Sequence, residues 1–275
     1  FVVCAYQFIT NPIPMIITTE AIILHSRKYS DTSKILVAFT RDEGKVSLIA
    51  KGARNPKSKF GGCLEPLSFS SLTIYKKANK ELHTLGKAEI ITPLRRLTAD
   101  YDKLTTALSI AEAVNLTQMN ETPHKELFDT MSAVLSALND ADDNNFSHII
   151  WFQLRLAALM GFMVEMEEFV DTGMPIIAEP HEEYIVSIAN GGVLSAETSR
   201  YAAGYRLTAQ ELQILSNLWA IDVSMVHTIA LQDNEKARLT DFMTQYFSFH
   251  LDKRVHYKSR HLHTDNVLTS LLATP

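Results

Sequence analysis

Cysteine is almost missing from this chain of 275 residues: Cys4 and Cys63 are the only two. Two thiols cannot form a disulfide framework and fall short of any four-thiolate metal site, so a reducing compartment, the cytoplasm, is expected. Glycine and proline are sparse, at 10 and 9 residues, which argues against a low-complexity or collagen-like chain. No apolar run approaches the roughly 20 residues that a membrane-spanning helix requires, and no membrane partner is expected. Motifs of catalysis are missing as well. There is no G-x-x-x-x-G-K-[ST] loop, no G-x-S-x-G elbow and no H-E-x-x-H, and the Gly pairs at 61–62 and 191–192 are turns without a dinucleotide fingerprint. Asp140, Asp142 and Asp143 read as a helix-linking loop. A binding protein without cofactor or metal, and not an enzyme, is the expectation.

What is present is an uneven charge. The chain has 26 Lys and Arg against 31 Asp and Glu, a net charge of −5. Residues 15–96 hold 15 cations against 7 acids, whereas residues 97–275 hold 11 against 24. A basic segment joined to an acidic one suggests that a polyanion meets the first part alone, although attraction between the halves is an alternative. Residues 1–14, FVVCAYQFITNPIP, carry no charged side chain and lack the basic start of an export signal. Met15 opens a cleaner strand pattern, and residues 1–14 are expected to be an extension foreign to the native protein. An ordinary N-terminal strand is the other reading.

From residue 15 to 96 the pattern is that of short strands. IITTEAIIL, SKILVAFT, GKVSLIAKG, LSFSSLTIYKK and KELHTLGKAEII are rich in β-branched and aromatic residues and are bounded by turn formers. Five strands in about 80 residues suit a five-stranded OB barrel, whose open face and loops receive single-stranded nucleic acid. From 97 to 275 the period lengthens towards that of helices. In HKELFDTMSAVLSALN an apolar stripe runs through Leu127, Phe128, Met131, Val134, Leu135 and Leu138, with Pro123 at the start. FSHIIWFQLRLAALMGF is apolar nearly all round, which predicts a buried central helix ending at Gly161 and leaves Arg155 in need of a partner. Thr208 and Glu211 have capping-box spacing, and Phe242, Met243, Tyr246 and Phe249 share a predicted face. Between these helices, residues 163–206 are broken by Pro175, Pro180, Gly191 and Gly192 and read as an inserted hairpin module. The fold class expected is therefore α+β and multidomain: an OB barrel, then an all-α domain carrying that insertion.

The strongest candidate for chemistry is KGARNPKSKFGG, residues 51–62. It sets Lys51, Arg54, Lys57 and Lys59 in one loop with no acid between them, as phosphate binding through counterion release requires. Phe60 is a candidate stacking face for a base. Arg27, Lys28 and Tyr29 at the first turn, with Lys34 after it, form a second basic and aromatic loop, though Tyr29 could equally be a rim residue with its hydroxyl in water. The C-terminal run HLDKRVHYKSRHLH contains His250, His256, His261 and His263. His261 and His263 have neither helical i, i+4 spacing nor a nearby cysteine, and a solvated basic segment is the better reading.

The ordered features resemble one family, the RecO recombination mediators. The residues that carry the resemblance are AIILHSRKYSDTSKILVAFTRDEGKVSLIAKGARNPKSKFGGCLEPLSF from Ala21, LRLAALMGF from Leu154, and KSR at 258–260. The resemblance implies binding to single- and double-stranded DNA, annealing of complementary strands, and help for RecA in displacing single-strand-binding protein. It implies RecR and the acidic tail of single-strand-binding protein as partners, RecA indirectly, and association with the nucleoid. It places Lys51, Arg54, Lys57 and Lys59 on the DNA-facing surface. For the tail, Lys253, Arg254, Lys258 and Arg260 are the candidate contacts, because an acidic peptide needs a local basic group. The resemblance also implies a zinc-binding insertion, but Phe169, Thr172, Ser195 and Thr198 stand in the four cysteine slots and His181 is alone nearby. Neither hydroxyls nor a phenyl ring replace thiolates. Packing by Phe169, Val170, Ile176, Ile177, Tyr184, Val186 and Ile188 is expected to hold the module instead. A protein-docking adaptor with a merely structural barrel is the alternative function, and a metal-dependent nuclease a third.

Overall fold

The computed structural model describes residues 15–177, 182–255 and 257. The reading of residues 1–14 as an extension falls outside these, as do His181, His256, His261 and His263. The described chain divides into two compact units that do not follow chain order: residues 15–92 join Asn120–Pro123, and Pro93–Met119 joins the residues from His124 onward.

In the first unit five strands close a barrel in the order β1-β2-β3-β5-β4. They are β1 (Met15–Lys28), β2 (Lys34–Thr40), β3 (Gly44–Ala50), β4 (Phe69–Lys76) and β5 (Leu82–Thr92). The 14-residue β1 serves two neighbours. Its first half pairs with β4 from Met15 to Ile22, and its second half pairs with β2 from Ala21 to Lys28, with a bulge between Ile23 and His25. A bulge adds twist, and twist lets one strand turn the corner of a small barrel. Parallel pairing of Ser47–Ile49 with Leu82–Thr84 closes the ring. Alternate residues point inward, and Ile23, Leu36, Ala38, Val46, Leu48, Leu72 and Ile74 fill the interior. Arg27 and Lys28 are the last residues of β1 rather than turn residues.

Residues Asn120–Pro123 complete this unit. Glu121 N–H donates to the Lys45 carbonyl at 2.9 Å, and Thr122 passes so close to Gly44 that a Cβ there would lie 2.2 Å from its carbonyl oxygen. Gly44 also has φ +68, so two independent constraints demand glycine. The Glu121 carboxylate meets the buried His83 Nε2 at 2.9 Å and the Lys76 ammonium at 2.9 Å, while Glu43 holds Lys76 from the other side at 2.7 Å. Lys77 N–H donates to His83 Nδ1, which leaves the ring proton on Nε2 for Glu121. The Lys76 bond, ahead of burial working the other way, holds the Glu121 carboxyl below its ordinary range.

The second unit is built on α1 (Arg95–Ala99), α2 (Tyr101–Thr117), α3 (Lys125–Asp140), α4 (Ser147–Leu159), α6 (Ala209–Ala220) and α7 (Asp233–His250). All six residues of the predicted α3 stripe are buried. The helix is capped by His124, whose Nδ1 accepts from Leu127 N–H, so Pro123 lies one residue outside the cap. Helix α4 is buried along most of its length and stops before Gly161 at φ +84. Arg155 finds its partners there: it donates to the Trp219 carbonyl at 2.6 Å and stacks 4.1 Å from the Trp219 ring and 5.2 Å from Trp151. Thr208 and Glu211 form the expected capping box of α6. In α7 the expected face is partly corrected. Phe242, Met243 and Tyr246 are buried, but Phe249 sits in the last turn, 56% exposed, and Phe247 packs in its place.

The insertion is a three-stranded sheet in the order β7-β6-β8, from β6 (Glu183–Ser187), β7 (Gly192–Val193) and β8 (Tyr205–Thr208), with a short α5 (Ala196–Ser199) between the last two. Tyr184 and Val186 are buried as expected, joined by Ile185. Ile177 is 78% exposed and contributes no packing.

Candidate nucleic-acid interface

The end of the barrel where β1 gives way to β2 gathers the predicted basic residues. Register places Lys28 opposite Lys34, and Lys34 opposite Ala50, which precedes Lys51. Like charges across neighbouring strands repel unless an anion joins them. The loop of residues 51–60 then folds back on the β1–β2 turn. Arg54 N–H donates to the Thr32 carbonyl at 3.0 Å and its guanidinium to the Ser30 carbonyl at 2.7 Å. Ser30, at φ +64, exposes that carbonyl from a left-handed turn. Within the loop, Gly52 at φ +73 accepts from Asn55 N–H, and Asn55 in turn from Ser58 N–H. Two loops distant in sequence thereby become one surface. Lys51, Arg54, Lys57 and Lys59 are exposed on it, as are Arg27, Lys28 and Tyr29.

Two candidates are corrected. Phe60 is 2% exposed and belongs, with Leu64, to the barrel core, and the Lys59 ammonium sits 5.2 Å from its ring centroid. A ring so covered offers no face to a base. Lys34 is only 21% exposed and its ammonium is held by Glu65 at 2.8 Å, so its charge is largely spent within the protein.

The register also reveals residues that the charge pattern did not. On the outer face one row runs Arg27, Ile35, Ile49, Thr84 and the next His25, Val37, Ser47, Leu82. None of these eight is fully buried, and Leu82 is 37% exposed. Four strands about 4.8 Å apart make a strip of roughly 14 Å, long enough for two nucleotides. A signal existed: KILVAFT is apolar at both parities, although one face of a barrel strand already supplies the core.

In the second unit the predicted basic segment is partly committed to the fold. Lys253 donates to the Leu116 carbonyl at the end of α2. Val255 and Tyr257 are buried, and the Tyr257 hydroxyl accepts from Gln153 at 2.9 Å. Arg254 is exposed, while Lys258 and Arg260 lie outside the described residues. Among the described residues no group of three or more His, Cys, Asp or Glu is placed to hold a metal ion, and no helix is long and apolar enough to cross a membrane.

Comparison with known proteins matches both units. Residues 15–94 fit the family model described as Recombination protein O N terminal, and residues 98–261 fit Recombination protein O C terminal. The chain is 29% identical over 253 residues to the DNA repair protein RecO of Chloroherpeton thalassium, spanning 90% of this chain and 98% of that protein. It is 29% identical over 255 residues to the DNA repair protein RecO of Prosthecochloris aestuarii, with 90% and 97% covered. To that of Salinibacter ruber it is 31% identical over 182 residues, with 66% and 68% covered. On these matches the chain belongs to the RecO family of DNA repair proteins.

Proposed function

We propose that this protein is a recombination mediator that binds DNA through its barrel, anneals complementary strands and assists RecA onto single strands coated by single-strand-binding protein. The observation that carries this reading is the joining of the basic 51–60 loop to the β1–β2 turn by Arg54, beside an apolar outer strip. Six exposed cations, Arg27, Lys28, Lys51, Arg54, Lys57 and Lys59, face solvent there, and each that meets a phosphate releases a counterion. Annealing requires that two polyanions approach with their bases free. A surface that neutralises backbones by charge, while the aliphatic residues Ile35, Val37 and Ile49 meet bases without pairing to them, suits that task. Family membership supports RecR and the tail of single-strand-binding protein as partners. For the tail, Lys253 and Arg254 are the described residues of the proposed segment and both are exposed, Lys253 with its ammonium on the Leu116 carbonyl.

A salt titration on the whole chain tests the reading, because Asn120–Pro123 belongs to the barrel unit and a fragment ending at residue 96 lacks it. Log affinity for single-stranded DNA is expected to fall against log salt with a slope of about −4, if all six cations neutralise phosphates at about 0.7 each. Changing Lys51, Arg54, Lys57 and Lys59 together to Glu is expected to flatten this by about 3. An unchanged slope removes the proposed surface and favours the adaptor reading, in which the barrel is structural.

A further inference from the structure

The four slots where the family resemblance implies thiolates lie in two turns that the structure joins in another way. The first turn is closed by Gly173 N–H donating to the Phe169 carbonyl at 2.7 Å and by Phe169 N–H donating to Met174 at 2.9 Å. The second is closed by Ser199 N–H donating to the Ser195 carbonyl at 2.9 Å. Asp171, between the slots Phe169 and Thr172, reaches across. Its Oδ1 accepts from Ser195 N–H at 3.0 Å and its Oδ2 from the Ser195 hydroxyl at 2.6 Å. The Thr198 hydroxyl favours the charged form of the same carboxylate. Ser195, one of the four slot residues, is therefore a donor to Asp171 through both its N–H and its hydroxyl, and the hydroxyls of Ser195 and Thr198 are poor zinc ligands. A single backbone bond runs beside the carboxylate, from Val170 N–H to Val193 at 2.9 Å.

We propose that Asp171 is a clasp that closes the inserted module through hydrogen bonds to the Ser195–Thr198 turn, replacing a metal cross-link by a carboxylate one. Two donors, one on each carboxylate oxygen, give the bonds their direction, and charge-assisted bonds of this kind are about twice as strong as neutral ones. The hydroxyls, the Ser195 hydroxyl foremost, push the Asp171 carboxyl down to about 2, the direction expected when the charged form is the one bonded. Apolar packing at this end is confined to Val170, half-buried against Gly192, and the buried Leu194. Asp171, Thr172, Gly173, Met174 and Thr198 are all exposed, and the packed part of the module lies at Tyr184, Ile185, Val186 and Val193. With no thiolate in the clasp, closure becomes indifferent to chelators and to thiol oxidants.

Hydrogen exchange on the full chain tests this. In the wild type, exchange at Val170 and Ser195 is expected to be the same with and without EDTA. Asp171→Asn, which keeps the shape and removes the charge, is expected to speed exchange at Ser195 at least about tenfold while the barrel amides are unchanged. Ser195→Ala, which deletes one donor and keeps the N–H, should give a smaller increase, and it serves if Asp171→Asn fails to fold. In a chain carrying Asp171→Ala with Phe169→Cys, Thr172→Cys, Ser195→Cys and Thr198→Cys, one equivalent of zinc should restore the lost protection. An Asp171→Asn protein with wild-type protection, or a wild type loosened by EDTA, overturns the clasp. Failure of zinc to restore the four-cysteine chain overturns its equivalence to a metal cross-link.

Discussion

Phe60 separates a DNA-contacting loop from a structural one, and its removal has a calculable cost. The ring is 2% exposed and packs among Leu64, Leu72 and the other barrel core residues. Truncating a buried phenylalanine to alanine costs about 3–5 kcal/mol, the transfer of the ring plus the cavity it leaves. Against a typical total of about 5–15 kcal/mol, that is enough to open the barrel for a measurable fraction of time. Phe60→Leu keeps most of the volume and should cost less than about 1.5 kcal/mol. Both tryptophans, Trp151 and Trp219, lie in the helical unit, so fluorescence would miss the event. Hydrogen exchange at Leu36, Ala38 and Leu48 reports the barrel directly. DNA affinity of Phe60→Leu, measured on ice, is expected to stay within about twofold, because its lysines and arginine remain. An unchanged barrel with a tenfold loss of affinity, about 1.4 kcal/mol, would return Phe60 to the binding surface and refute the packing argument.

Two further outcomes follow from charge and burial. His148 is fully buried in α4 and burial lowers its pKa to about 4. Below the ordinary value near 6.5 the unfolded chain takes up a proton that the folded one refuses, so stability should fall as pH drops from about 6.5 to 4, by roughly 3 kcal/mol in all. Urea midpoints across that window check it, and a His148→Gln chain whose midpoints fall as steeply would refute the assignment. The second outcome concerns paired and unpaired lysines. Lys87 holds Glu89 at 2.7 Å on the barrel exterior, whereas Lys57 belongs to the proposed surface. Lys57→Ala should flatten the salt slope for single-stranded DNA by about 0.7 and Lys87→Ala should leave it unchanged, and equal effects from the two would mean that net charge rather than this surface governs binding.

The barrel was legible because its strands are runs of β-branched and aromatic residues set between turn formers, and β3 shows the period most plainly. GKVSLIA alternates outward and inward over its whole length, and the structure buries every second residue of it. The α3 stripe and the Thr208 capping box were legible for the same reason: both are local, and nothing distant competes with them. Phe60 misled because its neighbours are polar and glycine-rich, which is the surrounding of an exposed residue. What decides its burial is a core drawn from strands as far along the chain as Ile23 and Leu85, and interiors are filled to crystal-like density whatever the local sequence suggests.

The same reasoning explains why a basic count locates a domain but not a site. Lys34 meets Glu65, and Lys76 meets both Glu43 and Glu121, at separations of 31 residues or more in sequence. No window along the chain contains both members of such a pair, so each of these lysines counts as a free cation until the fold is known. Lys57 and Lys59 gain their standing from the opposite circumstance: they lie in a loop with no acid of its own, and the carboxylate nearest in sequence, Glu65, is turned to Lys34. Pairing inside the protein sorts the cations, and what it leaves on the surface is what a phosphate backbone can meet. Arg54 stands on both sides of that division. Its backbone and guanidinium are fixed by carbonyls, which carry no formal charge, so it knits the two loops and still presents a full positive charge to solvent.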